Sequence, residues 1–237
     1  MNTYAILVIF SIYFLFSLFQ NLFQNKSIVP ITKISQFILL IYAITYLVIQ
    51  QILPRNLFSI PSWILGLVLG HILYTVGFFI TVGSDGIVKK QFLSFRKLLG
   101  FAFLSPIILG RTLGVAITEE IVYRCAVQTV LTHTLQNAFL SILIIAITFT
   151  LVHEHIFQNE LRQNFEFLFF SIMLGLLYHF TNDLALVTAI HFIRNMESNY
   201  LEFLEKMQEV NNLDQCLDEI EKTLFNSGGA KECTSKN

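Results

Sequence analysis

Residues 118–124 read TEEIVYR and lie in one of the most apolar stretches of a very apolar chain. Glu119, Glu120 and Arg124 are three ionisable groups where a lipid-facing helix carries none. At ~3 kcal/mol each against insertion at a helix centre, they cost roughly 8–10 kcal/mol unless something compensates. Helical geometry separates them. Glu120 and Arg124 are four apart and share a face, with the acid N-terminal to the base, the favourable order for an ion pair. Glu119 is turned by about 100° from Glu120 and can point into a different space. One carboxylate then neutralises the arginine while the other stays available. A plainer reading puts all three in one ion network that ties helices together, but such a network does not need the second carboxylate.

The rest of the chain sets the fold class. Of its 237 residues 54% are hydrophobic and 13% charged, against about 25% charged in soluble domains. With a mean hydropathy of +0.65, this is the composition of a membrane protein. The expected fold is all-α: a polytopic transmembrane helix bundle of about seven membrane helices plus a cytoplasmic amphipathic C-terminal helix. Apolar runs place the first six helices at about 3–23, 34–53, 60–82, 101–131, 138–153 and 165–180. Pro54 ends the second, and Pro106, Gly110 and Gly114 loosen the first half of the fourth. The seventh carries His191 and Asn195 and leaves the membrane near Ser198. The first three each approach the ~20 residues a span needs. Residues 1–200 are thus read as one transmembrane domain, 201–226 as an acidic amphipathic tail and 227–237 as a disordered end.

Charge and cysteine usage narrow the partners. A net charge of −1 and the absence of a long basic tract argue against nucleic acid. Lys89, Lys90, Arg96 and Lys97 form the largest basic cluster in any loop, which places that loop in the cytoplasm, the N-terminus outside and the C-terminus inside. The 3–23 run lacks the basic start and cleavage site of a signal peptide. Cys125, Cys216 and Cys233 have no metal-like spacing and give no disulfide framework. Cys125 also has no base at helical spacing, which argues against a cysteine nucleophile.

Two further apolar helices carry polar groups. In FTLVH, Phe149 and His153 are four apart, so the phenyl ring can pack beside the imidazole and fix its orientation. In HFIRN, His191 and Asn195 share a face, and both can donate hydrogen bonds. In lipid such groups turn inward; as plain interhelical hydrogen-bond glue they would do the same. Arg194 lies on another face and is expected to snorkel. His71, His133 and His179 have no polar partner at helical spacing and read as structural or interfacial. Together a carboxylate, two histidines and an amide on three helices make an acid–base and oxyanion constellation.

These motifs resemble those of the CPBP family, the CAAX-protease and bacteriocin-processing intramembrane endopeptidases. EEIVYR is similar to the family's EExxxR, FTLVH to its FxxxH and HFIRN to its HxxxN, in that order, over residues from about 105 to 197. Gly175, Tyr178 and Thr181 also stand at familiar places. Two positions depart: Asn182 stands where a glycine is common, and Ala189 near a usual proline. The resemblance implies an intramembrane endopeptidase, with Glu119 as general base assisted by His153, and with His191 and Asn195 as the oxyanion hole. Glu120, Arg124 and Phe149 would support the site.

No cofactor is then required. The substrate is a membrane-associated peptide or protein, possible lipidation included, and the lipid bilayer is the other partner. The setting expected is a bacterial plasma membrane. Two rivals stand. One is a zinc-dependent membrane protease using Glu119, His153 and His191 as ligands, although the chain has no HExxH. The other is a non-catalytic immunity or scaffold protein that retains the pocket.

Overall fold

The computed structural model describes residues 3–24, 26–52, 56–82, 95–210 and 212–227. Its main elements are α1 (Thr3–Phe23), α2 (Val29–Ile49), α3 (Ile60–Val82), α4 (Phe95–Leu104), α5 (Pro106–Glu120), a π-helical segment (Ile121–Gln128), α6 (Thr129–Leu135), α7 (Ala138–Leu151), α8 (Leu161–Thr181), α9 (Leu184–Val210) and α10 (Leu213–Ser227). Among the described residues there is no strand, as the composition implies. The basic residues Lys89 and Lys90, Pro54, Cys233 and the expected disordered end lie outside the described residues. Arg96 and Lys97 are exposed at the start of α4.

Among the described residues, four helices are long and apolar enough to cross a membrane: Tyr4–Phe23, Val29–Ile49, Ile60–Thr81 and Leu161–Thr181. The pair Arg96–Leu104 and Pro106–Leu135, bent by 104° at their break, makes a fifth if taken as one span. Between 28% and 33% of each of the four long spans is buried within the protein. The remainder presents large apolar side chains such as Leu15, Phe37 and Ile64 outward, as lipid contact requires. Two of the seven expected spans do not meet the test. α7 has only 14 residues, and α9 carries His191, Arg194 and Asn195 in its apolar half, which lowers its hydropathy.

Several expected boundaries shift for identifiable reasons. α2 starts earlier than its apolar run, because Pro30 fits the first turn of a helix, and it stops at Ile49. The break in the fourth apolar segment lies at Ser105–Pro106, and the helix then runs unbroken through Gly110 and Gly114. Ser105 caps α5: its Oγ accepts from the Ile108 amide at 3.2 Å, and its carbonyl from Leu109 at 3.1 Å. Proline after a cap disfavours continuing the previous helix and suits the start of the next. Asn182 ends α8 in the left-handed conformation (φ 49°), which explains an asparagine where a glycine would serve. Asp183 then caps α9, accepting from the Leu186 amide at 3.0 Å. α9 runs past Ser198, where the chain is expected to leave the membrane. Residues 196–210 contain neither glycine nor proline, so the helix continues to Val210.

The chain divides into two compact units, Met1–Ser62 with Thr118–Val187, and Trp63–Ile117 with Thr188–Asn237. In the first, the π segment packs against α1, α2, α7 and α8. Every residue from Val122 to Gln128 is buried there. Gln128 donates from Nε2 to the Gly175 carbonyl at 2.9 Å. A Cβ on Gly175 would lie 2.8 Å from Ile142 Cγ2, so only glycine lets α8 approach this closely. In the second unit, Leu98, Phe101, Ile108, Ile193, Met196, Tyr200, Phe203, Cys216 and Ile220 form one apolar core. α10 thus packs through its apolar face on α4 and α9, and the Ser105 hydroxyl donates to Glu221 Oε1 at 2.7 Å.

Candidate active site

Within the first unit, the expected pairing of Glu120 with Arg124 is present. Glu120 and Arg124 are fully buried and paired, with Arg124 Nε 3.3 Å from Glu120 Oε2. Arg124 also donates from Nη2 to Ser171 Oγ on α8 at 2.9 Å. Its guanidinium lies 5.3 Å from the centre of the Phe149 ring, within cation–π range. One arginine thereby links three elements, and its charge is met by a carboxylate, a hydroxyl and a ring face. Ser171 has no sequence signal for this role, since it is 47 positions from Arg124. Glu119, 9% exposed, is within electrostatic reach of Arg124 and of the Tyr13 and Tyr123 hydroxyls.

The helix changes type immediately after Glu120. A π segment bonds i to i+5 and widens the turn, and such segments recur at functional sites. Here it begins one residue beyond the two glutamates and carries Tyr123 and Arg124. Tyr123 packs edge-on against Phe149, ring centres 4.9 Å apart. Sequence periodicity carries no signal for this change.

Phe149 is fully buried and is the common wall of this region. Its ring meets Tyr123, the Arg124 guanidinium, Phe167 at 5.6 Å and His153 at 4.6 Å. His153 comes two residues after the end of α7, not within it. Its Nδ1 lies 2.6 Å from the Phe149 carbonyl oxygen. A carbonyl oxygen only accepts, so Nδ1 carries the proton, and Nε2 is the atom able to take a proton or orient a water. Phe167, 4.8 Å from the imidazole, closes the other side. The expected ring–imidazole packing is therefore present, with a hydrogen bond that fixes the tautomer. Replacing Phe149 by alanine removes three ring contacts and opens a core cavity. We expect a loss of about 3–5 kcal/mol in stability, read by chemical denaturation in detergent.

In the second unit, α9 carries His191, which is buried, and Asn195, which is half-buried, one turn apart. Arg194 does not snorkel. It is buried, only 3% exposed, and within electrostatic reach of Glu197. Glu197 is itself buried and contacts His71 of α3, Nδ1 to Oε1. His71 thus has a polar partner after all, 126 positions away and so out of reach of any local spacing rule. Asn199 donates to Thr112 Oγ1 at 2.9 Å. His133 and His179 are exposed. Cys125 and Cys216 are buried free thiols. Among the described residues, no three His, Cys, Asp or Glu side chains are gathered as a metal ion would need.

Residues 101–196 match the family model described as Type II CAAX prenyl endopeptidase Rce1-like. That stretch holds all three motifs, from the glutamate pair to Asn195. No curated protein and no solved structure matches the chain. The apolar spans make it an integral membrane protein, and its residues 101–196 are similar to the type II CAAX prenyl endopeptidase Rce1-like family.

Proposed function

We propose that the chain is an intramembrane endopeptidase in which Glu119 activates water without a metal. The observation that carries this reading is the commitment of Glu120 to Arg124 at 3.3 Å inside the family-matched stretch. In this reading Glu120 serves the arginine, and Glu119, beside it in the same motif, is the base. Glu119 takes a proton from water, and the hydroxide oxygen bonds to the scissile carbonyl carbon. His153, its Nδ1 proton held by the Phe149 carbonyl, orients the water through Nε2. His191 and Asn195 donate to the oxyanion, where losing one donor commonly costs ~10²–10³ in rate. The carbon–nitrogen bond then breaks, and the proton held by Glu119 passes to the leaving amine. Phe149, Glu120 and Arg124 hold the shape around these groups.

The substrate in this proposal is a membrane-associated peptide or protein, with a prenylated C-terminal peptide as the first to test. The proposal also places α7 and the apolar half of α9 in the membrane, giving about seven membrane helices. It puts the N-terminus outside and α10 in the cytoplasm, in a bacterial plasma membrane. Residues 1–200 would be the protease domain, followed by a helical tail and a disordered end.

The test is cleavage of matched farnesylated and unmodified peptides by purified protein, with and without a strong chelator, followed by mass spectrometry. Hydrolysis that survives the chelator is expected. Loss of activity on chelation, restored by zinc, would replace this mechanism with Glu119, His153 and His191 as ligands. Absence of cleavage while the wild-type chain and Glu119→Gln act equally in cells would mark a non-catalytic binding protein.

A further inference from the structure

α3 lies wholly outside the family-matched stretch, and so does Glu197. Yet α3 meets α9 at two adjacent residues. His71, at the middle of the Ile60–Thr81 span, contacts Glu197 through Nδ1. At Gly70 the two helices nearly touch. A Cβ there would lie 2.2 Å from Ile193 Cγ2 and 2.9 Å from both the α-carbon and the carbonyl oxygen of Ile190. The first clash is with a side chain, but the other two are with backbone, which cannot step aside.

The faces involved are informative. At about 100° per residue, Ile190, Ile193 and Glu197 fall within roughly 60° of one another on α9. His191 and Asn195 fall within about 40°, and the centres of the two sets are about 150° apart. α3 therefore bears on the side of α9 opposed to the side that carries His191 and Asn195.

Apolar packing in a membrane leaves a helix loosely specified. Isoleucine ridges can slip by a turn or rotate, because lipid is as good a neighbour as leucine. An ionisable pair in the middle of a span does not slip cheaply, since every other register leaves two polar groups in hydrocarbon. A glycine that admits backbone contact sets the depth of the approach. Arg194, buried and within electrostatic reach of Glu197, adds a charge to the same place. A metal does not explain the cluster, because no third ligand joins it among the described residues.

We propose that Gly70 and the His71–Glu197 pair are positioning residues that set the rotation and depth of α9, and so the aim of His191 and Asn195. This rests on the reading of those two residues as oxyanion donors. The family-matched stretch on this view is incomplete in function without α3, which supplies the surface it is held against.

Two readouts test it, one of which needs no turnover. The first is the rate of maleimide alkylation of Asn195→Cys, followed by peptide-level mass spectrometry so that Cys125, Cys216 and Cys233 do not interfere. The second is kcat and KM on a cleaved peptide, in chains that keep Asn195. Glu197→Ala is expected to change the alkylation rate at position 195 at least fivefold. It is expected to lower kcat by 10–100-fold with KM within twofold. His71→Ala should do the same, and the double variant no worse than either. Glu197→Gln keeps an acceptor opposite His71 Nδ1 and should stay within threefold of wild type on both readouts.

Gly70→Ala, which forces α9 back, gives a second route to the same change in alkylation should Glu197→Ala fail to fold. Unchanged alkylation and kcat in folded Glu197→Ala, or in folded Gly70→Ala, would overturn the positioning role while leaving the protease reading intact. Altered alkylation in a chain whose wild type cleaves nothing would uphold the positioning of α9 and remove the protease reading.

Discussion

Glu119→Gln is expected to abolish peptide hydrolysis, with a fall of at least ~10³ within the 10²–10⁴ range of positioned acid–base groups. The substitution is nearly isosteric and removes only the ability to take a proton. Folding should therefore survive, and the thermal transition in detergent should stay close to that of wild type. Glu119→Asp keeps the carboxylate but draws it back by one methylene, and a displacement of that order commonly costs ~10². The two variants together separate the chemistry of the carboxylate from its reach. If both glutamates were parts of one structural network, Glu119→Gln and Glu120→Gln would cost similar stability and similar activity. The burial and pairing of Glu120 argue for different outcomes.

The second large effect belongs to Glu120. Removing it as Glu120→Ala leaves a buried guanidinium, with the Ser171 hydroxyl and the Phe149 ring still in place but its carboxylate gone. Breaking a buried pair from one side typically costs about 3–5 kcal/mol. We expect that loss in a denaturant titration, together with poor yield of folded protein. Removing both charges at once, as Glu120→Leu with Arg124→Met, should recover much of the stability, because replacing a buried pair by apolar residues of similar volume is often neutral. That double variant retains Glu119, so the activity it keeps measures how far the ion pair shapes the site beyond holding the helix.

Much of this was legible in the sequence because it is local. The Glu120–Arg124 pair and the Phe149–His153 contact are both four residues apart, a spacing that helical reading brings together and that holds even though Arg124 lies in the π segment and His153 just beyond α7. The membrane class follows from composition alone. What could not be read was either a change of helix type or a contact between distant segments. The π segment after Glu120 has no periodic signature of its own. Ser171 as a partner of Arg124, and Glu197 as a partner of His71, join residues 47 and 126 positions apart. Arg194 shows the cost of this limit. A lone arginine near a helix end reads as a snorkelling group, whereas here it is buried near Glu197. The extension of α9 past Ser198 is a different lesson: a change from apolar to acidic composition marks a change of surroundings, not the end of a helix.

The most direct test of the mechanism is a single turnover of a cleaved peptide in water enriched in oxygen-18. If Glu119 activates water, one heavy oxygen enters the new C-terminal carboxylate of the product and none enters the Glu119 side chain. Heavy oxygen recovered in the Glu119 carboxylate would show that Glu119 attacks the peptide itself, and would contradict its role as general base.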